Sequence, residues 1–163
     1  MSSKNNKNKT NLVKHSTENM QQNVNVQSTE KACGCIIIDA DKVLLVKQKQ
    51  GFWGFPKGHV ENTETEAETA KREVKEETNL DVEIDYTKRY SMEYVTDKGN
   101  LKQVVFFVAK CTSKEIKAQE CEIDDIKWLN FDKAIETITY DNTKELFKEV
   151  LEESNLLKNS SEA

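Results

Sequence analysis

The chain has 163 residues, of which 36% are hydrophobic, and its 24 Lys and Arg against 29 Asp and Glu leave a net charge of −5. That length suits one ordinary domain, and the acidic balance is a poor prior for general nucleic-acid binding. No apolar run approaches the roughly 18 residues of a membrane span, and no hydrophobic signal-peptide core opens the sequence, which predicts a cytoplasmic protein with no membrane partner.

Residues 1–30 are almost all Lys, Asn, Ser, Thr and Gln, with scattered single apolars and no periodicity. Such a segment cannot bury enough apolar surface to offset its ordering entropy, so a disordered polar tail is expected over 1–30. Its four Lys and two Glu give +2, which leaves −7 on residues 31–163. The folded domain is expected over 31–158, with 159–163 as a short C-terminal tail.

"ACGCIII" (32–38) and "KVLLVKQ" (42–48) are strand-like runs joined by Asp39-Ala40-Asp41, a hairpin signal. A loop over 49–63 leads to a helical stretch at about 66–78, where Thr65 and Glu68 fit a capping box. Alternation over Val82–Thr96 predicts a strand, and "DKGN" (97–100) a turn. "VVFFVA" (104–109) is apolar on both faces and predicts a central strand. "IKWL" (126–129) is a last short strand, followed by a short helix at 132–137. A C-terminal helix at about 142–155 carries Leu146, Phe147, Val150 and Leu151 on one stripe. The sum is an α/β class fold: a mixed sheet with one helix in mid-chain and one at the end. Cys33, Cys35, Cys111 and Cys121 form no C-x-x-C pair and have strand-like apolar neighbours, which points to reduced, buried thiols over disulfides or zinc.

The mid-chain helix carries an unusual concentration of acid. With Glu73 at zero, Glu77 lies about 40° to one side and Glu76 about 60° to the other. Ala70, Val74 and Ala67 fall at about 60°, 100° and 120°. One edge therefore packs, and the edge beside it gathers three carboxylates. A solvated face of i,i+4 ion pairs is the ordinary explanation of such a helix. Here Lys71 and Lys75 are not placed to neutralise all three acids. Hard divalent cations bind clustered oxygen ligands of this kind.

Gly58, then five residues, Glu64, then seven residues, then "REVKEETNL" resembles the Nudix box, G-x5-E-x7-R-E-U-x-E-E-x-G-U with U bulky and aliphatic. Gly58, Glu64, Arg72, Glu73, Val74, Glu76, Glu77 and Leu80 match, and Asn79 stands where the pattern has its second glycine. That position ends the helix in a left-handed conformation, for which Asn is the next most tolerant residue. The resemblance implies the Nudix α/β/α sandwich, with a mixed β-sheet between the box helix and the C-terminal helix. It implies that Glu73, Glu76, Glu77 and the Gly58 carbonyl hold a divalent cation, Mg²⁺ or alternatively Mn²⁺. It also implies that Arg72 and Glu64 orient that cluster through a buried ion pair.

The flanks "ACGCIII", "WGFPKGHVE" and "ECEIDDIKWL" are similar to those of the asymmetrical diadenosine tetraphosphate hydrolases within this family. These hydrolases cleave a dinucleoside tetraphosphate to a nucleoside triphosphate and a monophosphate. On that likeness Lys57 and His59 face the polyphosphate, Tyr94 stacks on adenine, Lys102 meets phosphate, and Tyr140 is the candidate second aromatic. A loop lysine, a loop-closing histidine and core tyrosines are the ordinary alternatives. Glu122 is the candidate loop glutamate near the metal, as ligand or general base, with Glu120 and Asp124 as rivals. Trp53 and Trp128 are expected as core or loop anchors, and Phe131 and Phe147 as core. The partner implied is a small-molecule nucleotide bound by a monomer, with no stable nucleic-acid partner. A nucleoside triphosphate or RNA 5′-end pyrophosphohydrolase shares the same box, and a non-catalytic nucleotide-binding module is a third reading.

Overall fold

A computed structural model describes residues 28–156. Residues 1–27 of the tail expected over 1–30, and residues 157–163 with the C-terminal tail expected over 159–163, lie outside them. Among the described residues, seven strands and three helices follow in the order β1 (Thr29–Asp39), β2 (Lys42–Gln48), β3 (Trp53–Gly54), β4 (Lys57–His59), α1 (Glu66–Thr78), β5 (Val82–Val95), β6 (Leu101–Cys111), β7 (Ile123–Asn130), α2 (Phe131–Thr137) and α3 (Asp141–Glu153). Several boundaries differ from the sequence reading: the loop expected over 49–63 holds the short strands β3 and β4, β6 extends beyond 104–109, and the ends of the first and last long strands move as well. β1 begins at Thr29, so Thr29 and Glu30 belong to the sheet and not to a tail. Their side chains are polar, but the pairing with β6 runs through the backbone and is indifferent to that. The last strand is also longer than "IKWL", because it zips along all of β2.

β1 organises the sheet. Along one edge it runs parallel to β6, from Thr29 opposite Leu101 to Ile37 opposite Ala109. Along the other edge its first half pairs with β4 (Cys33 opposite Gly58) and its end with β2 (Ile38 opposite Val43). β6 is therefore central, between β1 and β5, as its doubly apolar sequence requires. Strand alternation sends neighbouring residues to two cores. Cys33, Cys35, Ile37, Val105 and Phe107 pack with Ala70 and Val74 of α1. Ile36, Val104 and Phe106 pack with Leu146, Phe147, Val150 and Leu151 of α3. This is the expected three-layer arrangement, a mixed sheet between the mid-chain helix and the C-terminal helices. Burial pushes the Cys33 thiol up to about 11 and that of Cys35 to about 12, in keeping with inert buried thiols, whereas Cys111 is only part-buried and Cys121, set between two glutamates, is exposed, against the expectation for all four.

α1 is fixed at both ends. Thr65 Oγ1 accepts from Glu68 N at 3.1 Å while Thr65 N donates to the Glu68 carboxylate at 2.9 Å, the capping box read from sequence. Glu66 receives a bidentate pair of bonds from Arg89 of β5 at 2.7 and 2.9 Å, tying the first turn to the sheet. At the far end Asn79 takes φ +70° and its N–H donates to Lys75 O. Its side chain also donates to Glu115 O at 2.9 Å, which glycine at this position cannot do. The loop after β6 then runs back over the helix end, where Lys117 N donates to Thr78 O and Gln119 N to Glu77 O. Carbonyls that an α-helix leaves unpaired are thereby satisfied.

Candidate active site

The acidic edge of α1 faces β4 and the loops around it. Gly58 is the point of closest approach: a Cβ built there would fall 2.0 Å from Glu73 Cδ and 2.2 Å from both its carboxylate oxygens. No other residue type fits without displacing Glu73. Arg72 binds Glu64 through two parallel bonds, Nε to Oε2 at 2.6 Å and Nη2 to Oε1 at 3.0 Å. Glu64 also accepts from Thr69 Oγ1 at 2.7 Å, and these bonds, the Arg72 guanidinium first, hold its carboxyl down to about 2. Arg72 Nη2 further donates to His59 O at 3.0 Å, so the guanidinium stitches the box helix to the "PKGH" strand. The pair is about one-fifth exposed on each side, where the resemblance implies a buried one.

Arg72 also bridges two of the three acids. Its Nη1 donates to Glu73 at 2.9 Å and to Glu76 at 3.2 Å. Glu76 stays 46% exposed and does not line the cleft. Among the described residues no group of three or more His, Cys, Asp or Glu stands ready as a cation cage. The helix angles place three carboxylates on one edge, but the side chains as they stand do not converge. Glu73 and Glu77 do line a cavity of about 560 Å³, together with Lys57, Gly58, His59, Lys102 and Glu122.

Glu77 is the site's anomaly. It is 3% exposed, and its Oε1 has no hydrogen-bond partner. Burial, with the Glu73 charge second, pushes its carboxyl up to about 8. Burial likewise raises Glu73, against the pull of Arg72. A buried carboxylate oxygen with no donor is costly to a fold on its own. A hard cation ligated by Glu77 and Glu73 would satisfy it, so the donors present fit a divalent ion.

The other expected residues divide clearly. Glu122 faces the same cavity, and its charge bears on both Glu73 and Glu77. Its rival Asp124 is paired with Lys49 at 2.8 Å, and Glu120 does not line the cavity. Lys57 is pulled down by burial first and by the neighbouring Lys102 second. His59 lines the cavity, and its ring Nε2 lies 3.2 Å from Glu30 Oε1.

A second cavity of about 480 Å³ adjoins, lined by Phe52, Trp53, Tyr94, Thr96, Asp97 and Tyr140 among others. The two cavities share Gln48, Lys57 and Lys102. Tyr94 and Tyr140 thus reach one pocket from β5 and from the start of α3. Tyr140 meets Phe52 at 5.1 Å between ring centroids. Trp53 is part-buried against the α3 core and Trp128 against the α1 core, both anchors as expected. Phe147 is fully buried and Phe131 packs edge-on against it. Sequence reading missed Glu30, Gln48 and Phe52. Only Phe52 carried a signal, as an aromatic beside the "WGFPKGH" loop.

Comparison with known proteins converges on one family. The NUDIX domain model matches residues 29–151. Nudix hydrolase 2 of Arabidopsis thaliana is 36% identical over 111 residues, 63% of this chain, although the chain spans only 39% of that protein's length. The asymmetrical bis(5′-nucleosyl)-tetraphosphatase of Sus scrofa is 28% identical over 135 residues, covering 73% of this chain and 91% of that protein. The crystal structure of a C. elegans Ap4A hydrolase binary complex superposes with a TM-score of 0.70 at 26% identity, over 78% of this chain and 99% of that one.

Proposed function

The chain belongs to the Nudix family, and on that premise we propose that it hydrolyses a phosphoanhydride bond in dinucleoside polyphosphates, turning diadenosine tetraphosphate into ATP and AMP. The observation that carries this reading is the pair of adjoining cavities, one acidic and one aromatic, joined by Gln48, Lys57 and Lys102. A mononucleotide needs only one such arrangement of base and phosphate. A long phosphate chain needs a base anchor, a cationic bridge and a reaction centre set apart from the anchor. The near-full-length likeness to an asymmetrical tetraphosphatase supports the same choice.

Glu73, Glu77, the Gly58 carbonyl and, after leaving Arg72, Glu76 would hold Mg²⁺ or Mn²⁺. Such an ion supplies Lewis acidity toward a phosphoryl oxygen and toward water. Arg72 keeps Glu64 and the His59 carbonyl in place and so fixes where the acids stand against β4. Tyr94 and Tyr140 take one adenine, a contact of about 1–3 kcal/mol per stacked base. Lys102 and Lys57 then lead the phosphates toward the acids. Glu122 accepts the proton of the attacking water at its carboxylate. A P–O bond forms to that water as the anhydride P–O bond breaks, and the leaving nucleotide departs as its phosphate anion. A fixed anchor and a fixed centre let only one phosphorus meet the water, so the chain breaks off-centre.

Product analysis by chromatography over dinucleoside polyphosphates, nucleoside triphosphates and 5′-triphosphate RNA tests this. ATP with AMP is the expected pair from diadenosine tetraphosphate. Two ADP would refute the anchored geometry. Pyrophosphate released from nucleoside triphosphates, with dinucleotides untouched, would transfer the assignment to a triphosphate pyrophosphohydrolase.

A further inference from the structure

We propose that Glu30 is a positioning residue of this active site: its carboxylate ties His59, on one cavity, to the β5–β6 turn, on the other, beside the bridging Lys102. The inference rests on reading the cleft as a nucleotide site. Glu30 Oε1 lies 3.2 Å from His59 Nε2, and Oε2 accepts from Asn100 Nδ2 at 2.7 Å. Asn100 closes the turn, since Thr96 N donates to its carbonyl at 2.8 Å and its own N–H donates to Thr96 Oγ1 at 3.2 Å. Thr96 and Asp97 of that turn line the aromatic pocket, while His59 lines the acidic one. One side chain therefore holds a wall of each.

Strand register adds the third contact. Glu30 pairs opposite Lys102 across β1 and β6, and Lys102 pairs opposite Tyr94 across β6 and β5. Directly opposed residues share a face of the sheet, so Glu30, Lys102 and Tyr94 form one row. Lys102 sits in the middle of that row and in both cavities. The bond from Asn100 first, then that from His59, with the Lys102 charge adding to them, draws the Glu30 carboxyl below the usual range. A negative charge next to a phosphate path is unfavourable for binding by itself. Its presence is explained if it orients cations and a loop that bind more than it repels.

That opposition of signs makes the test sharp. In the full-length chain, Glu30→Ala, Glu30→Gln, Asn100→Ala and the Glu30→Ala/Asn100→Ala double variant are compared. KM and kcat are read on whichever nucleotide of the panel is turned over. The Kd of a non-hydrolysable methylene analogue of ATP is read by calorimetry. Positioning predicts that Glu30→Ala raises KM and Kd about tenfold, the loss expected for hydrogen bonds to a charged group, with kcat unchanged. Glu30→Gln, which keeps the shape and one acceptor oxygen, falls between, and remains informative if the alanine variant loosens the strand. The double variant is no worse than Glu30→Ala alone. Charge alone predicts the reverse, a lower KM in both Glu30 variants, and that result overturns the proposal. So does an unchanged KM, a fall in kcat at constant KM, or full additivity with Asn100→Ala. If dinucleotides are not turned over but analogue binding responds as predicted, the substrate assignment fails while the role of Glu30 stands. A chain that binds no nucleotide overturns both.

Discussion

At the acidic end of the cleft, Glu77 is 3% exposed and one of its oxygens has no partner. At the aromatic end, Tyr140 is 50% exposed and Phe52 37%, with their rings in contact. The first compartment is built on a helix locked by a capping box, a bidentate arginine pair and a pinned C-terminus. The second is built on a strand, a loop and the residue before α3, held by the Thr96–Asn100 turn bonds, the Trp53–Thr139 bonds and the Phe52–Tyr140 ring contact. The difference separates two kinds of work. A carboxylate held dry and unpaired is poised to gain from a cation, and its stress is tolerable only on a rigid support. An exposed aromatic surface offers stacking that is the same before and during reaction, and needs no such support.

The comparison breaks most visibly at Glu77. Glu77→Gln keeps its shape and removes the charge, so kcat should fall by orders of magnitude with the far-UV circular dichroism unchanged, and excess chelator should abolish turnover of the wild type. Near-normal turnover in either case would remove the cation from the account. At the other end, Tyr94→Ala should raise KM by about tenfold or more, from about 1–3 kcal/mol of lost stacking, and leave kcat nearly intact. A kcat effect larger than the KM effect would place Tyr94 in the reaction itself.

Stability should separate the compartments as well. In the fold the Glu77 carboxyl titrates at about 8, raised from 4.5. Between those values the folded chain holds a proton that the unfolded chain has released. The contribution is therefore complete below about pH 4.5 and is lost as the pH rises through about 8. In chelator, the melting temperature should fall as pH rises through this window, the Glu77→Gln variant should lose that part of the slope, and added Mg²⁺ should restore the loss at high pH. A wild-type slope identical to that of Glu77→Gln would show that Glu77 is not stressed. The smallest effect concerns the helix end. Asn79→Gly restores the residue of the family pattern, yet it removes the bond to Glu115 O and loosens the unfolded chain, and should destabilise by about 0.5–1 kcal/mol in urea unfolding. A stabilised variant would mean that the left-handed strain outweighs that bond.

The same division explains what could be read from the sequence. The box helix and its Thr65–Glu68 cap are set by spacings of a few residues and were legible, whereas the left-handed Asn79 and the Arg72–Glu64 pair were legible through the resemblance to the Nudix box. The sheet order was legible only through the doubly apolar β6. Glu30 was not, because its neighbours look like tail and its partners come from β4, β6 and the β5–β6 turn. Glu76 shows the limit from the other side. Helix angles put it with Glu73 and Glu77, and only the side-chain contacts reveal that it rests on Arg72, exposed and outside the cleft. Tyr94 and Tyr140 were expected as two aromatics of one base site only through the family likeness, and their meeting in one pocket depends on the packing of α3 against the sheet.

The parallel pairing of β1 with β6 also sets a schedule for the chain as it is made. Asn100 and Glu30 are 70 residues apart, and at roughly 5–20 residues per second a ribosome takes about 4–14 s to deliver the second after the first. The β1–β2 hairpin and the box helix are complete by residue 79, whereas the strand that orders β1 along its other edge is not. Through that interval the β6-facing edge of β1 waits for its partner, and the row that joins acid cleft to base pocket cannot form until residue 102 is made, with Glu122 and Tyr140 still to follow.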